Sequence, residues 1–397
     1  MSKYLFHLAS YNDVDHITPI IYQFLKNNNK VKILFISKFD YKDDYRIKFL
    51  KKYRNLEIEN LTKIEKIKKK VFFSSLSQRL QTKLNINRLV LFLLNILWPN
   101  KRIVGVDSVI YGWSLPYLPN LFEAKYKGIK VVGIPHGQNI FRNIDINPRY
   151  KKIYADKGHY FDFSPRNIFD KYIFQTEWHK DMNIQLGLNK KNSFALGSLR
   201  YCPEWSKLNL KLVKEYSTSQ LPLPNRNQLK IVFFCPHWDH NVDIKKTFET
   251  LEKIIQNKNY LLIVRTHTRE TKYSNKINTL LKDQSNAIIN TKDHSPLLID
   301  WSDIVINFAS SIGIEAILQN KTIINLPYLH ENITIFDDNE LFQNANNIDE
   351  LLNLLSKGKK LISINQDKRK LEKFMNKEIF CSDNFVNVLD RYYELLK

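Results

Sequence analysis

A chain of 397 residues is long enough for two domains with full cores, and 43% hydrophobic with 25% charged residues is a globular balance, which excludes a disordered or fibrous chain. Lys+Arg of 61 against Asp+Glu of 40 leaves a formal charge of +21; a lysine-, asparagine- and isoleucine-rich coding bias or attraction to an anionic membrane surface or anionic substrates would account for it. Nucleic acid is not an expected partner, because the chain has no zinc finger, RNA-binding aromatic motif or arginine-rich arm.

The N-terminus passes directly into a strand at residues 4 to 9 and has no signal-peptide apolar region with a cleavage site. Asp15 to Leu25 has the apolar spacing of a helix, and Val31 to Ile36 reads as a second strand, so the chain opens with parallel βαβ grammar. Asp13-Val14-Asp15 resembles a metal-binding acidic pair, but its place before the first helix favours a cap. Tyr45 to Tyr53 is expected as a basic surface helix. Lys63 to Lys70 and the flanking cations Arg79, Lys83 and Arg88 lead into Leu89 to Trp98, an apolar run too short to span a bilayer. This stretch suits either an interfacial helix on anionic lipid or a buried core helix.

Strands at Ile103 to Tyr111 and Lys130 to Ile134 follow, with Pro119 to Tyr126 helical between them. The second of these ends in Pro135-His136-Gly137: proline stiffens the approach, and glycine leaves room for a substrate. His136 can therefore act as a general base toward an acceptor hydroxyl, or simply bond a neighbouring loop. Gln138, Asn139, Arg142 and Asn143 follow with amide and cationic groups suited to an acceptor sugar. Tyr172 to Gln175 is a strand, Thr176 to Leu186 a helix stopped by Gly187, and residues 194 to 201 return to the first domain. Domain 1 is placed at 1–202. Pro203, Pro222 and Pro224 among polar residues mark 203–229 as a linker.

The pattern restarts at Lys230 to Phe234, and a second domain is expected over 230–363, with terminal helices over 364–397. Cys235-Pro236-His237-Trp238-Asp239-His240 follows that strand; a loop closing on donor phosphate is the favoured reading, with metal ligation the alternative. The strand 261 to 264 delivers Arg265 and His267, alternating residues that share a face and could neutralise phosphates, unless they pair with Glu270 or Asp293. Strand Ile304 to Phe308, then Ala309-Ser310-Ser311, helix Ile312 to Leu318 and strand Thr322 to Leu326 make the most informative unit. Its helix start offers free N–H groups for an anion, with Glu315 one turn inside to reach a ribose hydroxyl; a plain serine cap is the bland alternative. The three cysteines, Cys202, Cys235 and Cys381, are scattered, which argues against a disulfide framework and for a reducing cytoplasm.

Taken in order, His136-Gly137, Arg265-Thr266-His267, Asp303, Ser310-Ser311 and Glu315 resemble the motifs of GT-B-type bacterial surface-polysaccharide transferases. The likeness is to the capsule and teichoic-acid group that uses CMP- or CDP-linked donors, although Thr268 stands where that group usually has proline. The resemblance implies an α/β fold of two Rossmann-like domains facing a cleft, with C-terminal helices packing back across the interface. It implies transfer of a sugar or polyol phosphate from a nucleotide-activated donor to a glycan or lipid-linked acceptor at the inner face of the plasma membrane. His136 would be catalytic; Arg265, His267, Ser310, Ser311, Glu315 and His237 would hold the donor; Gln138, Asn139 and Arg142 would hold the acceptor. No metal or cofactor is expected. A UDP-sugar 2-epimerase-like isomerase is a rival reading; such enzymes carry a Gly-Gly turn and paired glutamates where this chain has Ser310-Ser311 and a single Glu315. A non-catalytic membrane-associated scaffold is the other.

Overall fold

Short runs of β-branched and aromatic residues, buried on both faces, build two all-parallel sheets in the computed structural model. The structure describes every residue except 1, 37–40, 62–104, 112–118, 136, 159, 161, 226, 268–272, 338, 363–367 and 383–386. Both stretches read as membrane-facing, Lys63 to Lys70 and Leu89 to Trp98, lie outside the described residues, as does His136.

The chain divides into two compact units. The first comprises residues 1–137, 162–205 and 376–397. Its sheet has β1 (Lys3–Leu8), β2 (Lys30–Phe35), β3 (Leu56–Asn60), β4 (Ser108–Tyr111), β5 (Lys130–Gly133), β6 (Lys171–Phe174) and β7 (Ser193–Ala195), in the order β3-β2-β1-β4-β5-β6-β7. The strand expected from Ile103 begins later, because the Gly105 turn precedes it and the Asp107 carboxylate accepts the Lys3 N–H at 2.6 Å. Edge strand β3 escaped the sequence reading: its alternating glutamates, Glu57 and Glu59, pair with Lys32 on β2 rather than burying a face.

Helix Tyr11–Lys26 begins earlier than expected, so Asp13-Val14-Asp15 lies inside its first turns instead of before it, and Ser10 is the N-cap. Ser10 Oγ accepts the Asp13 N–H, and the buried Asp13 carboxylate accepts the Ala9 N–H at 2.6 Å. Asp15 instead pairs with Arg46 and Arg200. The helix expected on the surface after Tyr45 is a correction: Tyr45–Leu50 buries Tyr45, Arg46, Ile47 and Leu50, and Arg46 grips Asp44 through two nitrogens. A buried guanidinium needs such partners, so charge alone did not mean exposure. The last helix, Val388–Leu396, packs on Tyr11–Lys26 within this unit, and Gln23 Nε2 donates to Asp390 at 2.7 Å.

The second unit comprises residues 138–161 and 206–375. Its strands are β8 (Leu229–Phe234), β9 (Tyr260–Arg265), β10 (Ala287–Asn290), β11 (Ile304–Asn307), β12 (Thr322–Asn325) and β13 (Gln343–Asn344), in the order β10-β9-β8-β11-β12-β13. The segment expected as a linker opens with a helix, Pro203–Tyr216, whose Trp205, Leu212 and Val213 are buried; proline at its first position suits a helix start. Helix Pro148–Lys157 belongs to this unit although it lies early in the chain.

Candidate functional site

In the second unit the chain runs from β8 outward through β9 to β10, then returns to β11 beside β8 and leaves through β12 to β13. Strand order reverses between β8 and β11, and a parallel sheet opens its ligand crevice beyond the carboxyl ends at that reversal. The last paired row across the sheet is Asn290, Arg265, Phe234, Asn307, Asn325 and Asn344. Rows beneath it are filled by Val264, Phe233, Ile306 and Ile324, so polarity switches on where the strands end.

Each member of that row is positioned differently. Arg265 is buried and donates from Nη1 to the Asn290 carbonyl at 3.1 Å; burial pulls its pKa down, with Asp293 opposing. Its guanidinium is thus partly committed to the β10 side. Asn325 donates to Asp337 at 2.9 Å and to Asn344 at 2.8 Å. Asn307 is fully buried, and among the described residues neither of its amide atoms has a hydrogen-bond partner. Leaving such a group unpaired costs about 1–3 kcal/mol, a cost folds tend to keep at functional positions.

Above the row stand three imidazoles. His237, three residues past β8, has its ring centre 5.2 Å from that of His267 and 5.3 Å from that of His240. Its Nδ1 accepts the Asp239 N–H at 3.3 Å. Phe141, from the early segment, meets His240 edge-on at 5.4 Å. Imidazole N–H groups can donate to phosphate oxygens, so this cluster can receive a diphosphate. Among the described residues no group of three His, Cys, Asp or Glu is arranged to hold a metal ion. Burial pushes the Cys235 thiol pKa up, which keeps it neutral.

After β11 the backbone turns through Ala309 at φ +46°, a left-handed conformation unusual for a side chain with a Cβ. Ser310 Oγ accepts the Ile312 N–H at a long 3.4 Å, and Ser311 makes no side-chain cap bond at the start of helix Ile312–Leu318. Gly313 has a packing role. A Cβ there would stand 3.0 Å from Asn307 Nδ2 and 3.0 Å from the Phe336 ring. Glu315, expected to face a ribose, is buried within that short helix.

Gln138, Asn139 and Arg142, expected on the first domain, lie in the second unit. Asn139 Oδ1 closes a turn onto the Phe141 N–H at 3.0 Å, and the Arg142 N–H donates to the Ile333 carbonyl at 2.8 Å. Three asparagines fasten this segment. Asn332 Oδ1 accepts from Asn143 at 3.0 Å and Asn241 at 2.8 Å, while its Nδ2 donates to the His240 carbonyl at 2.8 Å and the Ile146 carbonyl at 3.3 Å. Asn241 sits at φ +51°, which asparagine tolerates better than most residues. The structure therefore joins His237, His240 and His267, and adds the 138–146 segment beside them. Sequence reasoning took His240 only as part of the Cys235–His240 loop and passed over Asn307, which carried no signal beyond its place at a strand end.

No family model and no curated protein matches the chain. Among solved structures it is similar to the UDP-GlcNAc 2-epimerase from Neisseria meningitidis bound to UDP-GlcNAc, at TM-score 0.60 and 15% identity over 99% of each chain. It is similar to a glycosyltransferase from Rickettsia africae at TM-score 0.55 and 15% identity, covering 100% of this chain and 98% of that one. The wall teichoic acid polymerase TagF is also similar, at TM-score 0.55 and 12% identity, over 100% of this chain and 88% of that one. At these identities the likeness is one of fold: two Rossmann-like domains of GT-B type.

Proposed function

We propose that the chain is a transferase that moves a sugar or polyol phosphate from a nucleotide-activated donor onto a cell-surface polysaccharide acceptor. The observation that carries this reading is the His237–His240–His267 cluster beyond the strand ends, beside the β8/β11 reversal. In the proposal His237 and His267, with Arg265, neutralise the donor's phosphates, and Ser310 and Ser311 add hydroxyls at the next strand end. Glu315, from inside the helix, would address the ribose. The acceptor oxygen attacks the transferred group, its proton passes to His136, and the bond to the leaving nucleotide's phosphate oxygen breaks. Gln138, Asn139 and Arg142 are the proposed acceptor contacts. The proposed place of work is the cytoplasmic face of the membrane, on a glycan or lipid-linked acceptor.

A second reading is supported by the likeness to UDP-GlcNAc 2-epimerases: an isomerase acting on a UDP-sugar without an acceptor. Ser310-Ser311 and the single Glu315 favour transfer. Incubation with CMP-, CDP- and UDP-linked donors separates the two readings. Acceptor-dependent nucleotide release supports transfer, and conversion of a UDP-sugar to its epimer supports the rival. His136→Ala is expected to abolish turnover while nucleotide affinity stays within about threefold, well under a lost phosphate contact; parallel loss of both would make His136 a donor ligand.

A further inference from the structure

Helix Pro148–Lys157 carries a strongly basic outer surface. None of its ten residues is fully buried; Tyr150 and Ile153 are half-buried, so its apolar side is partly covered by the protein itself, and the other eight are exposed. Its ends are well made: Asn147 Oδ1 accepts the Tyr150 N–H at 3.0 Å, and Gly158 closes the other end at φ +69°. Its exposed surface presents Tyr154 together with Arg149, Lys151, Lys152 and Lys157, against a single carboxylate, Asp156. Tyr154 is 49% exposed and lies stacked on Tyr160 with ring centres 4.6 Å apart. Lys151 pairs at 2.7 Å with Glu331, which ties the helix to the loop carrying Ile333, and Ile333 is 59% exposed.

We infer that this helix and Ile333 form a docking surface for an anionic lipid bilayer. Charge complementarity selects the occupant. A second copy of a chain carrying +21 would bring cations against cations. A soluble polyanion would use the cations but gain nothing from the exposed Ile333 and Tyr154, whereas a bilayer interface takes both, an aromatic ring lying at headgroup level and cations over anionic lipid. The asparagine clasp gives the contact a consequence. Asn332 bonds the His240 loop and the 143–146 segment that leads into the helix, so the docked helix is fixed to the loops around the imidazole cluster. This inference rests on the proposed action at a membrane, and it names residues other than those at 63–98.

The test is flotation of the full chain with phosphatidylcholine vesicles containing about one third phosphatidylglycerol, against phosphatidylcholine alone. Near such a surface each cation contributes about fivefold, so Arg149→Gln/Lys152→Gln/Lys157→Gln is expected to bind on the order of a hundredfold more weakly. Tyr154→Ser/Ile333→Ser is expected to weaken binding as well, with UDP and CDP affinity and unfolding temperature unchanged in both variants. Amide exchange in residues 148–157 should slow when phosphatidylglycerol vesicles are added to the wild type. Wild-type binding retained by both variants, but lost on replacing Lys66, Lys68, Lys69 and Lys70 by glutamine, would overturn this surface and leave membrane attachment standing. Wild type that ignores anionic vesicles at low salt would overturn both. Equal binding to a soluble polyanion, insensitive to Tyr154 and Ile333, would overturn the choice of lipid.

Discussion

Asn332→Ala removes the centre of the asparagine clasp, and its cost can be worked from the bonds it makes. Asn332 is buried and engages four groups: two amides donate to its Oδ1 and two carbonyls accept from its Nδ2. Two of those partners keep a second bond when it is gone, since Asn143 also donates to Asp145 Oδ1 at 3.1 Å and Asn241 to the Asp145 carbonyl at 2.9 Å. The carbonyls of His240 and Ile146 lose theirs. Four bonds at a net 0.5–1.5 kcal/mol each give about 2–6 kcal/mol, and the second bonds kept by Asn143 and Asn241 place the loss in the lower half of that range, about 2–4 kcal/mol. In a unit of this size that is roughly 5 to 15 °C of unfolding temperature. Thermal unfolding by circular dichroism reads it, and proteolysis should open residues 139–147 first. Asn143→Ala removes one bond in common with Asn332→Ala, that from Asn143 Nδ2 to Asn332 Oδ1, so the double variant should lose less than the sum of the singles. An Asn332→Ala protein that melts within about 2 °C of wild type, or strictly additive losses, would refute the clasp.

Gly313→Ala forces a methyl to within 3.0 Å of Asn307 Nδ2 and the Phe336 ring, so a loss of about 1–3 kcal/mol is expected by denaturant unfolding, with nucleotide affinity falling too; a neutral change would show that the helix can simply shift. His330 has its pKa lowered by burial, with Asp337 and the Asn332 carbonyl opposing. Because the folded value lies below the unfolded one, its contribution is complete above the ordinary histidine range and fades as pH falls through it. Unfolding temperature should therefore drop between about pH 7 and pH 5, and His330→Gln should flatten that slope; an unchanged slope would assign the acid sensitivity elsewhere.

The second sheet was the most legible part of the chain. Ile304–Asn307, Ile312–Leu318 and Thr322–Asn325 fall at or within a residue of where apolar runs and turn residues put them, because strands buried on both faces leave little ambiguity. Edge strand β3 was not legible, since a face of glutamates answered by Lys32 has no apolar signature. Nor was the allegiance of residues 138–161. Asn143, Asn241 and Asn332 meet from positions as far as 189 residues apart, and no local period announces such a meeting. His237 and His267 were legible because both stand just past parallel strands. The partial commitment of Arg265 to Asn290 was not, because strand alternation gives the face of a side chain but not its partner.

The central claim is that the imidazole cluster of the second unit receives a nucleotide's phosphates. Titration calorimetry with CMP, CDP, UDP and GDP on the wild type, His237→Ala, His267→Ala and Ser311→Ala tests it most directly. The account predicts that at least one of these nucleotides binds and that each histidine variant weakens it by about 1–3 kcal/mol, roughly five- to 150-fold, with Ser311→Ala weaker by a similar or smaller factor. Full wild-type affinity in both histidine variants, alongside unchanged unfolding temperatures, would contradict it.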